Sequence, residues 1–426
     1  MLSIKKTTLP NRVRIVTIPM RSTEAITVMV MVRAGSRHET KSINGISHFL
    51  EHLFFKGGKR YPDPHSVAEA IDSIGGVFNA FTDNEFVGYY VKVAKEHINT
   101  AFDVISDMLI NAKFDKDGLE RERGVILEEY KMLHDDPKLL VGDAFERLIF
   151  GDQPLGWSVI GLPEVIKKVK RSDFVNYKNK LYTASNIVVA VAGNTNLSKV
   201  TKLTRQYLPF PKSTKPNRPL PYRPGRKAIR LNIVNKKTEQ AHIALGVPTF
   251  GSRHRDKYAA KVLSAILGGG MSSRLFMSVR ERHGLAYYVY SNDTHYVDAG
   301  YLAVHAGVDK DRIDLAIKTI LEEFTKITRE LVSQKELTKA KEYLIGHFVL
   351  AMEDSDAVAM RLGLQELLGN PIETVAYIKQ QIKAVTAEQV RSLARRIFTA
   401  DVLTLLVIGP YTRQKQFSDL LKQYQA

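Results

Sequence analysis

Three residues within a run of five can build a metal site: His48, Glu51 and His52, in Ile46-Ser47-His48-Phe49-Leu50-Glu51-His52. On a helix, residues four apart project from one face, so both imidazoles can reach one ion. Glu51 shares that face and can stand beside the ion without ligating it. The order His-x-x-Glu-His reverses the commoner zinc-protease spelling His-Glu-x-x-His. A hydrolytic zinc site needs a third protein ligand and an open position for water. Candidates lie between Glu120 and Tyr130, where Leu119, Val125, Ile126, Tyr130 and Leu133 mark an amphipathic helix. Glu122 and Glu129 are seven residues apart on that helix and share a face. Glu128 points about 100° away from Glu129. Acidic pairs on helices are usually solvated, and this one gains meaning only beside the histidines. The chain has no cysteine, which excludes disulfides, thiolate nucleophiles and thiolate metal ligands.

These residues need elements to hold them, and the elements come twice. Alternating apolar strands open each half: RVRIVTIP with AITVMVMVRAG, then AIRLNIV with AHIALGVP. A helix follows in each, ISHFLEHLFF and YAAKVLSAIL, then a strand pair, VFNAF with FVGYYVKV and LAYYVYS with GYLAVHAGV. Long amphipathic helices are expected over 97–111, 115–134, 309–330 and 333–350. The halves also end alike: LYTASNIVVAVAG (181–193) and IFTADVLTLLVIG (397–409) align without a gap at an offset of 216. Strands in pairs and helices in runs predict the α+β class. Two duplicated domains are expected, 1–212 and 227–426, each a mainly antiparallel sheet packed with helices.

A Pro-rich basic linker, 213–226, joins them. The chain has 426 residues, and at ~100–200 residues per domain this supports two domains. A hydrophobic share of 44% and a charged share of 25% describe a globular chain, not a disordered one. No stretch approaches the ~18–20 apolar residues of a membrane helix. The first residues carry lysines but no continuous apolar run, so a cytoplasmic location is expected. The net charge is +17, and fourteen Lys or Arg with no Asp or Glu lie between Phe174 and Thr238. No finger or RNP-like pattern accompanies them. A solvated linker and surface is the expectation, and an acidic polymer is the alternative ligand. Neither nucleic acid nor membrane is an expected partner.

Over nearly its whole length the chain resembles the pitrilysin/insulinase family of zinc endopeptidases, which includes the mitochondrial processing peptidase. The spacing of 76 residues between His52 and Glu129 matches the family's motif. The resemblance implies that His48, His52 and Glu129 hold one Zn2+ per chain, with Glu51 as general base, in the inverzincin pattern. It implies a role near the site for Glu122. Arg280 and Tyr287, in Ser278-Val279-Arg280-Glu281-Arg282-His283-Gly284-Leu285-Ala286-Tyr287, look like the family's Arg–Tyr pair, which holds substrate and its developing oxyanion. Arg274 and Arg282 are nearby competitors. Gly76-Val77-Phe78-Asn79-Ala80-Phe81-Thr82 resembles the edge strand that pairs with substrate, which makes Asn79, Ala80, Phe81 and Thr82 substrate-binding. Gly268-Gly269-Gly270-Met271-Ser272-Ser273 matches the place of a substrate-contacting loop, with a structural turn as the equal alternative.

The implied activity is hydrolysis of unfolded peptides or leader and presequence segments, with the two domains facing each other across a cavity. Single-chain members carry four such domains, so this chain resembles the half-size subunits that work in pairs. Because it carries both the metal motif and the Arg–Tyr pair, a homodimer is expected. The reading of another class is a non-catalytic scaffold or partner subunit of the same family.

Overall fold

The computed structural model describes residues 3–213 and 215–424. Thr214, inside the expected linker, and residues 1–2 and 425–426, at the outer ends of the expected domains, lie outside the described residues. The fold is α+β and divides into two compact units, each built around one sheet.

The first sheet has the order β1-β2-β6-β3-β5-β4. Its strands are β1 (Lys5–Thr8), β2 (Arg14–Pro19), β3 (Ala25–Val32), β4 (Val77–Thr82), β5 (Val87–Ala94) and β6 (Ile187–Gly193). β1, short and polar, has no counterpart in the expected strands. β3 and β6 are continuous apolar runs because helices cover both of their faces. Val28, Val30, Val189 and Val191 face the helices Ile46–Phe54, Ile98–Asn111 and Arg171–Leu181. Met29, Met31, Val188 and Ala190 face the helix Ser355–Leu368.

The second sheet has the order β7-β11-β8-β10-β9. Its strands are β7 (Arg230–Asn235), β8 (Gln240–Thr249), β9 (Ala286–His295), β10 (Gly300–Asp309) and β11 (Thr404–Gly409). The duplication extends to the register. Within the first sheet only β2 and β6 run parallel, with Arg14 opposite Val188. Their counterparts β7 and β11 are also parallel, with Arg230 opposite Thr404. Both residues of that pair are displaced by the 216 read from the sequence.

The compact units depart from the contiguous division 1–212 and 227–426. Residues 131–156 belong to the unit of the second sheet, and residues 349–375 to the unit of the first. The helix Pro137–Phe150 lays Leu140, Val141, Phe145 and Ile149 on the second sheet. The helix Ser355–Leu368 lays Val358, Ala359 and Leu362 on the first. The two are copies of each other: Asp136 and Asp354 precede them, and Gly151 and Gly369 end them with φ of 74° and 68°. Each half has lent the equivalent helix to the other half's sheet. The described residues of the expected linker are divided between the units, 213 and 215–220 in the first and 221–226 in the second.

Candidate metal centre

The helix Ile46–Phe54 has one face made of Ile46, Phe49, Leu50, Leu53 and Phe54, all buried in the core of the first unit. That leaves His48, Glu51 and His52 on the opposite face, as the four-residue spacing requires. The helix Lys116–Asp135 is anchored by Leu119, Glu122 and Ile126, which are buried. The next position on that face is Glu129. Glu129 Oε2 lies 3.7 Å from His48 Nε2 and 3.5 Å from His52 Nε2. One donor atom from each of His48, His52 and Glu129 falls within 4.8 Å of the others, and no other such group occurs among the described residues. Glu128 is exposed on another face of its helix.

Two imidazole nitrogens and one carboxylate suit zinc, and three protein ligands leave a fourth position open. The side chains of both histidines are 19% exposed and that of Glu129 is 35% exposed, so the group is reached from solvent. On this donor set and geometry the residues fit a zinc ion. His52 has its second nitrogen engaged: Nδ1 lies 3.3 Å from Glu122 Oε2, and Lys56 Nζ lies 2.7 Å from Glu122 Oε1. A carboxylate accepting from Nδ1 fixes the tautomer that offers Nε2 to a metal. Glu122 therefore holds His52 and is not one of the three residues that could hold a metal. Lys56 is a site residue that sequence reasoning missed.

Electrostatics divides the two histidines. Burial, with the nearby His52 charge, pushes the His48 pKa down to about 3, which keeps its imidazole neutral. For His52, burial alone would lower the pKa, but the Glu122 hydrogen bond and the charges of Glu129 and Glu51 raise it. Burial opposes ionisation of Glu122 too, yet His52 and Lys56 hold its carboxyl below the usual range. Burial raises Glu51, and the hydrogen bond from Thr82 works against that rise.

The histidine-bearing helix has no side-chain cap of its own. Gly45 at its N-cap offers no side chain, so Glu39 reaches in from upstream. Its carboxylate accepts from Ser47 N at 2.8 Å, Gly45 N at 2.7 Å and Asn44 Nδ2 at 2.9 Å. This meets backbone donors that every helix N-terminus leaves open and places a negative charge at the positive end of the helix dipole. Gly45 immediately before Ile46, which has no side chain to cap the helix, is the one local sign in the sequence that the cap comes from elsewhere.

Among the described residues β4 pairs with β5 alone and is the open edge of its sheet. Strand alternation puts Phe78, Ala80 and Thr82 on the side of the histidine helix, where Phe55 meets Phe78 at 5.7 Å. Thr82 Oγ1 donates to Glu51 Oε2 at 2.5 Å. Asn79 and Phe81 point to the opposite side, and Phe81 packs with Phe86 and over Gly88. Of the four residues expected to bind substrate, Phe81 turns its ring to the side of the sheet away from the histidine helix. Asn79 Oδ1 accepts from Ala80 N at 2.8 Å, so this side chain bonds its own strand.

Arg280 and Tyr287 belong to the second unit. Arg280 sits on a stretch of π-helix, Phe276–Arg282, a distortion that is frequent at functional sites. Its guanidinium lies 4.9 Å from the Phe276 ring centre and 5.8 Å from that of Tyr287. Tyr287 opens the edge strand β9 and is 73% exposed. Of the competitors, Arg274 is committed to a bidentate pair with Glu336, at 2.7 and 2.8 Å. Gly268 is needed for packing, since a Cβ there would stand 2.3 Å from Ser291 N. That favours the structural reading of the glycine-rich segment.

A histidine pair, a carboxylate within reach of both and an adjacent half-buried glutamate on such a duplicated fold point to a metallopeptidase type, and comparison with known proteins agrees. Residues 14–162 match Insulinase (Peptidase family M16), and residues 168–344 match the Peptidase M16 inactive domain. The chain is 37% identical over 407 residues to the zinc protease YmxG of Bacillus subtilis, covering 95% of this chain and 98% of that one. It is 36% identical over 428 residues to a zinc protease of Streptomyces coelicolor, covering 98% and 92%. Among solved structures, a protease from Helicobacter pylori shares the fold with a TM-score of 0.90 at 24% identity, covering 96% of this chain and all of that one. This chain belongs to the insulinase family, peptidase family M16. No helix among its described residues is long and apolar enough to cross a membrane.

Proposed function

We propose that this protein is a zinc endopeptidase of the inverzincin type, acting as a cytoplasmic homodimer with one Zn2+ per chain. Its substrates are unfolded peptides or leader and presequence segments. The observation that carries this reading is the convergence of His48, His52 and Glu129 beside Glu51. A zinc ion bound there would polarise the scissile carbonyl and lower the pKa of a water to about 7.

The chain's own residues supply the rest. Glu51 takes a proton from the attacking water and returns it to the leaving amine as the C–N bond breaks. His52 is oriented by Glu122, and Glu122 by Lys56. The free edge of β4, from Asn79 to Thr82, offers main-chain hydrogen bonds to an extended peptide, which demands little of its sequence. Arg280 and Tyr287 donate to the carbonyl oxygen as it gains charge, supplied by the same chain or by a second copy.

A non-catalytic partner subunit is the second reading, and the match of residues 168–344 to an inactive domain favours it. One experiment separates the two. Purified protein is analysed for metal, then incubated with a library of unstructured peptides whose fragments are mapped by mass spectrometry. Stoichiometric zinc with reproducible internal cuts supports the peptidase. Zinc without any cleavage, at verified folding, supports the partner subunit.

A further inference from the structure

The Thr82 hydroxyl is placed to do something other than meet substrate. We propose that Thr82 is the positioning residue for Glu51 and ties the general base to the strand on which the peptide docks; this rests on the peptidase reading above.

The first support is exclusivity. Thr82 Oγ1 to Glu51 Oε2, at 2.5 Å, is the one hydrogen bond to the Glu51 side chain among the described residues. Two buried tyrosines close enough to feel the Glu51 charge, Tyr89 and Tyr182, bond each other at 2.7 Å instead. One carboxylate oxygen is therefore pinned, and the other has no protein donor among the described residues. A base that must meet a water in one orientation needs that asymmetry, since a carboxylate free to rotate would spend its time in unproductive positions.

The second support is the rigidity of both partners, which a single short segment provides. Its Gly35 has a φ of 108°, and a Cβ there would stand 2.1 Å from Asp83 O, so the chain passes directly against the β4–β5 turn. Arg37 N donates to Asn84 O at 2.8 Å, and the buried Arg37 guanidinium pairs with the buried Glu85 at 2.5 Å. Asn84 Nδ2 donates to Ser36 Oγ at 3.1 Å. These contacts fix the turn that follows Thr82. Two residues after Arg37, Glu39 caps the helix that carries Glu51. The run Gly35–Glu39 thus sets the position of the donor and of the acceptor together. The Thr82 hydroxyl closes the bridge, and anything that orders β4, such as an added substrate strand, also orders the base.

The test uses the full chain with Thr82→Val, which keeps the branched shape and strand propensity, and Thr82→Ser, which keeps the hydroxyl. Steady-state constants are measured on a peptide that the wild type cleaves, with zinc content and crystal structures of each variant. The expected result for Thr82→Val is a fall in kcat of about 10–100-fold, the usual cost of losing a partner that orients an active group. KM should stay within about twofold, zinc should stay at the wild-type level, and the Glu51 carboxylate should be displaced or split between positions in the crystal. Thr82→Ser should restore most of kcat and the carboxylate position. The role is refuted if Thr82→Val turns over normally with Glu51 in place, if KM alone rises, or if Thr82→Ser fails as badly as Thr82→Val. Those outcomes leave the peptidase reading standing. A zinc-loaded wild type that cuts no peptide overturns both.

Discussion

The two units share a sheet and differ in chemistry. Strand order, the one parallel pair and the borrowed helix are repeated in both. The first α-helix after β3 differs from the first after β8. In the first unit it is Ile46–Phe54, with two histidines and a glutamate facing outward. In the second it is Lys257–Gly268, where most positions are buried and Ser264 bonds Ser291 of the edge strand. The edge strands differ in the same sense: β4 presents Thr82 to a carboxylate, whereas β9 presents the exposed Tyr287 to Arg280. A sheet with both faces covered tolerates little change, because its residues are locked by packing. Outward faces of helices and sheet edges carry no such constraint. The two copies therefore keep one scaffold and differ at their outward helix faces and sheet edges.

That division predicts where mutations act. The largest effect is expected from Glu51→Gln, which keeps shape and ligands but removes the base: turnover should drop by about 10²–10⁴-fold with zinc content unchanged. Near-normal turnover would remove Glu51 from the mechanism. Glu129→Ala should strip most of the zinc, while Glu128→Ala should retain it; equilibrium dialysis of both variants against zinc decides, and equal losses would break the assignment by helix face. Arg280→Ala, in the second unit, should lower kcat by about 10²-fold, as loss of an oxyanion donor does, without changing zinc affinity. Loss of zinc there would mean that the chemistry is not partitioned between the units as described. Glu122→Gln should weaken zinc binding by about 10–100-fold, because His52 loses the partner that orients it.

The smallest effect separates the units by pH. His305 on β10 takes the place that Tyr90 holds on β5. It is buried against Phe145 and Tyr290, and burial pushes its pKa down to about 4. A histidine whose folded pKa is below the unfolded value of about 6.5 stays neutral in the fold and takes a proton only on unfolding. Its contribution to stability is intact above pH 6.5 and is lost as pH falls toward 4. Urea unfolding at pH 7 and pH 5 should show a loss at pH 5 that is smaller in His305→Gln, by on the order of 2 kcal/mol. An identical loss in both proteins would show that His305 does not titrate on unfolding.

Much of this was legible in the residue order. His48, Glu51 and His52 lie within little more than one helical turn, and Glu122 and Glu129 lie on one face of a second helix. Such local periodicities survive whatever the chain does elsewhere. The α+β class, the duplication and its offset of 216 were readable for the same reason, since each strand repeats its own apolar alternation. The tertiary structure alone decided the features set by groups distant in the chain. Pro137–Phe150 and Ser355–Leu368 are amphipathic whichever sheet they cover, so only packing shows that each crosses to the other half's sheet. A helix without a local cap shows that a donor set is open, but not that Glu39 fills it. Strand alternation separates Phe81 from Thr82, but only the sheet's two coverings say which side holds the histidines. Thr82 and Glu51 are thirty-one positions apart on a strand and a helix, and no periodicity links them. Their hydrogen bond joins two elements that the run Gly35–Glu39 also contacts, at Asn84 and Glu85 after the strand and at Gly45 and Ser47 of the helix start.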